Sequence, residues 1–249
     1  MPTENDLSLD PKDFTLSAYD AVAIVMPERE LASDADIEAE LFSYVANSSP
    51  DEGITSIADL DNAWVQRNFN DLATVAELKD AIRYDLEKDS RFAWENLKFQ
   101  KCGEALIARL QGDIPEETVK ANVDAVRAQY DERLRSFGIT KQQYLRDERM
   151  TEQEYEEKLE HDVRYQLALN VALDKMIEIT TTTVANNEIC DYLSTDNPEA
   201  FIKELQEKNK VEEARRAAAR VKVMRRIVET AEISTEGETE EAPKASIDG

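Results

Sequence analysis

Histidine occurs once in the chain, at position 161, and that scarcity excludes a good deal. A multi-histidine metal site cannot be built from it, and a Ser-His-Asp triad or a Cys-His couple would have to use this one residue. His161 sits among Glu157, Lys158, Glu160 and Asp162, so it reads as a solvated side chain on an exposed helix face. Glycine is nearly as scarce. The six glycines (53, 103, 112, 138, 237 and 249) stand alone, so there is no phosphate-cradling loop and no dinucleotide fingerprint. The two cysteines, Cys102 and Cys190, lie far apart within helical patterns and read as reduced thiols. No apolar run approaches the roughly 20 residues that cross a bilayer. The stretch Met1–Lys12 is polar and lacks the features of an export signal, so a cytoplasmic location is expected. Basic charge is in deficit: 30 Lys and Arg face 54 Asp and Glu, a net charge of −24. Such a surface repels phosphate backbones and anionic lipid, so neither nucleic acid nor membrane is an expected partner.

What the chain does have is helix-forming sequence. An apolar content of 41% supports a core, and 34% charged residues with so little glycine point to long amphipathic helices. Ser33 with Asp36, Thr74 with Glu77, Thr140 with Gln143 and Thr151 with Glu154 read as helix N-caps with their reciprocal partners. The helix from Thr74 is predicted to run past Leu110 to Gly112, with Pro115 opening the next near its first position. That one stops at Ser136-Phe137-Gly138, and the helix from Thr151 reaches about Ile179. Thr183 is predicted to begin a further helix, Asn197-Pro198 another, and the last runs from about Lys210 to Glu232. The β-branched run within Phe14–Val25 reads as a strand or extended linker, and Asn47–Gly53 as a turn-rich break.

The expected fold is all-α, with antiparallel helical hairpins joined by short breaks. The expected division is a disordered N-terminus over 1–13, an extended linker and short helix over 14–59, a helical domain over 60–233, and a disordered acidic tail over 234–249. Within the helical domain, one hairpin arm spans about 115–180 and a second about 183–232.

No catalytic constellation emerges. A carboxylate pair such as Glu156 and Glu160 is expected by chance on so acidic a helix. The basic stretch Arg215–Arg226 could dock an acidic peptide, or could be a helix balanced by pairs such as Glu212–Arg216. Two apolar clusters near hairpin ends are more suggestive. Phe137, Ile139, Tyr144, Leu145 and Met150 form the first; Phe201, Ile202 and Leu205 form the second. Each could be ordinary packing between neighbouring helices, or an apolar patch that meets nonpolar segments of a client chain.

The order of segments resembles the C-terminal substrate-binding domain of the trigger factor family, with the linker that precedes it. Leu16–Val22, Pro27 and Ala32–Ile37 resemble that linker entering a first short helix. Trp64–Phe69 and Val75–Lys79 are similar to the opening of the helical body, and Ile114–Val119 to the start of the first arm. Gly138-Ile139-Thr140 through Tyr144-Leu145, then Met150–Tyr155, is similar to the arm hairpin in spacing and capping. Phe201-Ile202 with Lys208-Asn209-Lys210 resembles the second arm.

The resemblance implies an elongated helical body with projecting arms, of the trigger-factor C-terminal and SurA-like kind. It also implies an ATP-independent holdase that cradles unfolded or nascent polypeptides through weak apolar contacts at several points, with no cofactor, no metal and no catalytic residue. The client-binding residues would be the eight of the two clusters. A helical adaptor for one specific protein partner is the alternative, and a homodimer is left open. The family's ribosome-docking loop, Gly-Phe-Arg, has no counterpart here, so docking on the ribosome by that route is not expected. Its FKBP-like prolyl isomerase domain would have to fit into Asn47–Asp59, which is too short, so isomerase activity is not expected either.

Overall fold

The computed structural model describes residues 9–48, 60–193 and 197–235. Of the turn-rich break expected over Asn47–Gly53, Asn47 and Ser48 belong to a helix and the rest lies outside them, as do most of the expected acidic tail and the first eight residues. Helix dominates, as expected. The described elements are a 3-10 turn (Pro11–Asp13), strands β1 (Thr15–Leu16), β2 (Ala23–Met26), β3 (Leu110–Gln111) and β4 (Glu232–Thr235), and nine helices. The helices are α1 (Asp34–Ser48), α2 (Asn62–Asn68), α3 (Val75–Ile107), α4 (Glu116–Ser136), α5 (Lys141–Asp147), α6 (Glu152–Thr180), α7 (Asn186–Leu193), α8 (Pro198–Glu207) and α9 (Val211–Thr230). The strands form two short pairs, β1 with β3 and β2 with β4.

The chain falls into two compact units. One comprises residues 1–24 and 101–233, the other 25–100 and 234–249. This division differs from the one expected at residue 60, because α1 and α2 pack with the first part of α3. In that second unit Ile37, Leu41 and Val45 of α1 meet Trp64 and Val65 of α2 and Leu78 and Ile82 of α3 in one buried cluster. Trp94 Nε1 donates to the Pro27 carbonyl at 3.2 Å, and Ser90 Oγ to that of Glu30 at 2.9 Å, fixing the chain before α1 along α3.

The helix starts follow the caps. Ser33 Oγ accepts from the Asp36 N–H at 3.2 Å, while the Asp36 carboxylate accepts from the Ser33 N–H at 2.9 Å. The Ser33 hydroxyl, donating to that carboxylate at 2.6 Å, and then the Ser33 N–H hold the Asp36 carboxyl below its ordinary range. Thr140 with Gln143 and Thr151 with Glu154 form complete capping boxes. Asn197 caps α8, with Pro198 at its first position.

Several expectations are corrected. The helix from Thr74 ends at Ile107, and Leu110 lies in β3, where it pairs with Leu16 across an antiparallel ladder. Pro115 is the N-cap of α4 and not its first residue, since its ψ of 133° is extended. Thr183 precedes α7 without starting it, because the Glu188 carboxylate accepts from the Ala185 N–H at 2.8 Å and sets the start three residues later, at Asn186. Part of the expected disordered N-terminus is also placed: Leu9 packs on an apolar cluster, and residues 11–13 form the 3-10 turn. Glu232–Thr235, which overlaps the expected tail, forms β4.

Candidate functional site

The first apolar cluster lies where α4 gives way to α5 and α6. Gly138 ends the approach with φ +70°, a backbone conformation that side chains with a Cβ rarely adopt. Val119 and Val123 of α4 meet Tyr155, Leu159, Val163 and Leu167 of α6, which recur every four residues and so share one helix face. Tyr144, Leu145 and Met150 are half-buried against this layer. Phe137 and Ile139 are not covered: they are 68% and 39% exposed. The structure thus separates the five residues into three that roof a core and two that face solvent.

A cavity of about 230 Å³ opens against Tyr144 and Met150, and neither Phe137 nor Ile139 lines it. It is lined chiefly by Tyr130, Tyr144, Met150, Tyr155 and Leu159. The Tyr144 and Tyr155 rings meet edge to face at 6.3 Å, and the Lys141 ammonium lies 4.8 Å from the Tyr155 ring centre. Burial pushes the Tyr155 phenol above its ordinary range, so that ring stays neutral at physiological pH, while Lys158 and Asp162 of the same lining form an ion pair at 3.0 Å. The hairpin is pinned by charge at its side. Glu156 accepts from Arg127 at 2.6 Å and from Lys141 at 3.1 Å, and the Arg127 bond holds its carboxyl low. Glu160 is held by Arg164 at 2.8 Å. The two carboxylates weighed as a chance pair therefore serve as separate clamps. His161 is exposed.

The second cluster is covered differently. Phe201, Ile202 and Leu205 of α8 are half-buried against Val184, Ile189, Ala214, Ala218 and Ala219. Three of those five are alanines of α9, whose small side chains permit close approach of neighbouring helices. The basic stretch of α9 also resolves. Arg216 does not pair with Glu212, which bonds Arg215 instead. Arg216 and Arg220 turn toward Asp174 of α6, a carboxylate only 5% exposed, at 2.6 and 2.7 Å. A buried carboxylate attracts a guanidinium more strongly than an exposed one does, so the distant partner displaces the local one.

Sequence reasoning missed an aromatic stripe on α3. Tyr84, Phe92 and Phe99 are 65%, 66% and 47% exposed. Their spacing of eight and seven residues keeps them near one helix face. That periodicity among charged neighbours was the available signal. Among the described residues no group of three or more His, Cys, Asp or Glu is placed to hold a metal ion, and no helix is long and apolar enough to cross a membrane.

The fold and these surfaces define an all-α protein of helical hairpins with half-open apolar grooves. The family model described as bacterial trigger factor protein C-terminus matches residues 74–229, and the chain belongs to that family. Trigger factor from a Nocardioides species is 28% identical over 181 residues, covering 70% of this chain and 38% of that protein. Trigger factor from Finegoldia magna is 23% identical over 180 residues, covering 70% of this chain and 41% of the relative. The chain thus spans well under half the length of these curated relatives. The crystal structure of a hypothetical Mycoplasma protein is similar with a TM-score of 0.43 at 13% identity, covering 89% of this chain and 90% of that one.

Proposed function

We propose that this chain is an ATP-independent holdase of the cytoplasm that binds unfolded or nascent polypeptides without catalysing a reaction. One observation carries the reading: Phe137 and Ile139 stand exposed at the reversal between α4 and α5, in the same hairpin as the cavity lined by Tyr130, Tyr144 and Met150. An aromatic and an aliphatic side chain in water gain by meeting a nonpolar segment, at about 25 cal/mol for each Å² covered. Each such contact is weak, and several on one client add through avidity, so release needs no chemical step. The α3 stripe of Tyr84, Phe92 and Phe99 supplies a further contact of the same kind. Family membership supports the chaperone class, and the net charge of −24 keeps a loaded complex dispersed.

The test is light scattering of a chemically denatured client enzyme diluted into the purified chain. Suppressed aggregation at stoichiometric amounts is expected, with partial loss in the double variant Phe137→Ser, Ile139→Ser. No suppression at any ratio up to a few-fold excess would remove the reading. A proline-limited refolding reaction should proceed at its uncatalysed rate in the presence of the chain.

A further inference from the structure

The face of α3 between Tyr84 and Phe99 lies wholly within the unit of residues 25–100 and 234–249. Tyr84, Lys88, Arg91, Phe92, Glu95 and Phe99 are all exposed. At 3.6 residues per turn these six fall within an arc of about 100°, over roughly 22 Å of helix. Glu87 and Lys98, both half-buried, lie together along one edge of that arc. The exposed parts of the three rings come to about 350 Å², taking roughly 200 Å² for a whole ring.

The charges on this face are not used within the chain. Elsewhere on α3, Lys79 pairs with Glu38 at 3.7 Å, Arg83 with Asp34 at 3.2 Å and Lys101 with Glu104 at 3.6 Å. Among the described residues, the side chains of Glu87, Lys88, Glu95 and Lys98 make no ion pair or hydrogen bond. Their order is self-complementary in one orientation. A second α3 laid antiparallel on the first, with the two-fold axis between Arg91 and Phe92, brings residues equally far before and after that point to one level. Lys88 then meets the second copy's Glu95, and Tyr84 lies level with the second copy's Phe99. Phe92 meets its own copy at the axis. Glu87 and Lys98 share an edge, so they fall on the same side of the pair and within about 3 Å of one level. Arg91 with its copy is the like-charged contact in this register, one turn from Glu87 of its own helix. A parallel pairing would instead set Lys88 against Lys88 and Glu95 against Glu95, so charge selects the antiparallel one.

We propose that this face of α3 is a self-association surface on which a second copy of the chain docks antiparallel. The rings alone bring about 700 Å² to the pair, at the low end of specific interfaces, so the dimer is transient, with a dissociation constant on the order of 10 µM. The second copy covers the same rings that the stripe offers to clients, so the stripe serves clients only in the single chain. The inference does not rest on the holdase reading, which the scattering assay decides by itself.

Sedimentation velocity of the full chain over about 1–100 µM tests this, with a monomer–dimer equilibrium expected. Phe92→Ser should weaken association by at least about tenfold, since the ring sits at the axis. Lys88→Glu and Glu95→Lys should each weaken it by about tenfold, because each turns two attractive contacts into repulsive ones. Mixed in equal amounts, these two variants should associate with each other about as well as the unmodified chain does with itself, since every reversed charge then meets its opposite. That rescue also shows that both variants are folded. A chain that stays monomeric throughout the range overturns the proposal. So does a dimer indifferent to all three substitutions, or a mixture of the two charge variants that associates no better than either alone.

Discussion

The seam between α4 and α6 and the seam between α7 and α9 lie in the same unit and are built from opposite side-chain sizes. Val119, Val123, Tyr155, Leu159 and Leu167 meet across the first, and a groove remains along it. In the second, Ile189 and Val184 meet Ala214, Ala218 and Ala219, and α8 lays Phe201, Ile202 and Leu205 over the result. The two apolar clusters look equivalent in sequence, yet they differ in what lies beneath them. α8 rests on a layer flat enough to absorb its large residues. Phe137 and Ile139 project past the end of their seam, so nothing in it reaches them. An apolar cluster at a helix reversal is therefore a candidate surface only where the seam stops short of it.

The largest expected effect breaks the alanine seam. Ile189 is fully buried, so Ile189→Ala should destabilise the protein by about 3 kcal/mol, read by urea unfolding followed by circular dichroism. A loss below about 1 kcal/mol would mean the seam is not close-packed. Next, Phe201→Ser removes a half-buried ring and should cost about 2 kcal/mol by the same measurement, with little change in aggregation suppression.

A smaller effect concerns the clamp on the open seam. Glu156 is held below the ordinary glutamate range, chiefly by its bond from Arg127, so the folded state keeps this carboxylate ionised at a pH where the unfolded chain takes up a proton. The stabilisation is complete above the unfolded value and is lost as pH falls through the lowered folded value. Both partners are about one-third exposed, so water and salt limit it to about 1 kcal/mol. Glu156→Gln should remove that amount at neutral pH and flatten the acid limb of the stability curve, measured by thermal melting across pH. The smallest effect on stability belongs to Phe137→Ser, within about 0.5 kcal/mol, because the ring is already in water. Reduced client capture with an unchanged melting temperature at Phe137, against the reverse pattern at Phe201, would establish the difference between the two clusters.

Much of the helical frame was legible because its signals are local. A cap needs only residues three apart, which is why the pairs Ser33–Asp36, Thr74–Glu77, Thr140–Gln143 and Thr151–Glu154 and the Asn197-Pro198 start emerge from reading along the chain. What escaped depends on partners far away in sequence. Leu110 is helical by its neighbours and a strand because of Leu16. Arg216 has a suitable acid one turn away in Glu212 but is claimed by Asp174, 42 residues back. Leu9 looked like part of a polar tail, since its apolar contacts all come from α4 and α6. The candidate site was legible as two clusters of the right residue types. Which members would be exposed was not, because exposure is decided by the opposite face of the seam.

The pairing of β1 with β3 carries a kinetic consequence. It joins Thr15 to Gln111, 96 residues apart, whereas the α7–α9 seam closes over a few tens of residues. Entropy delays the closing of long loops, so helical hairpins with local contacts form first and this ladder forms late. Only two residues from each strand form the ladder, and buried Phe14 and Leu16 and the Arg109 bonds to Asp20 and Ala21 hold it once it has formed. The opening of this ladder is reported by the amide of Ser17, which donates to the Arg109 carbonyl and exchanges its hydrogen when the strands part.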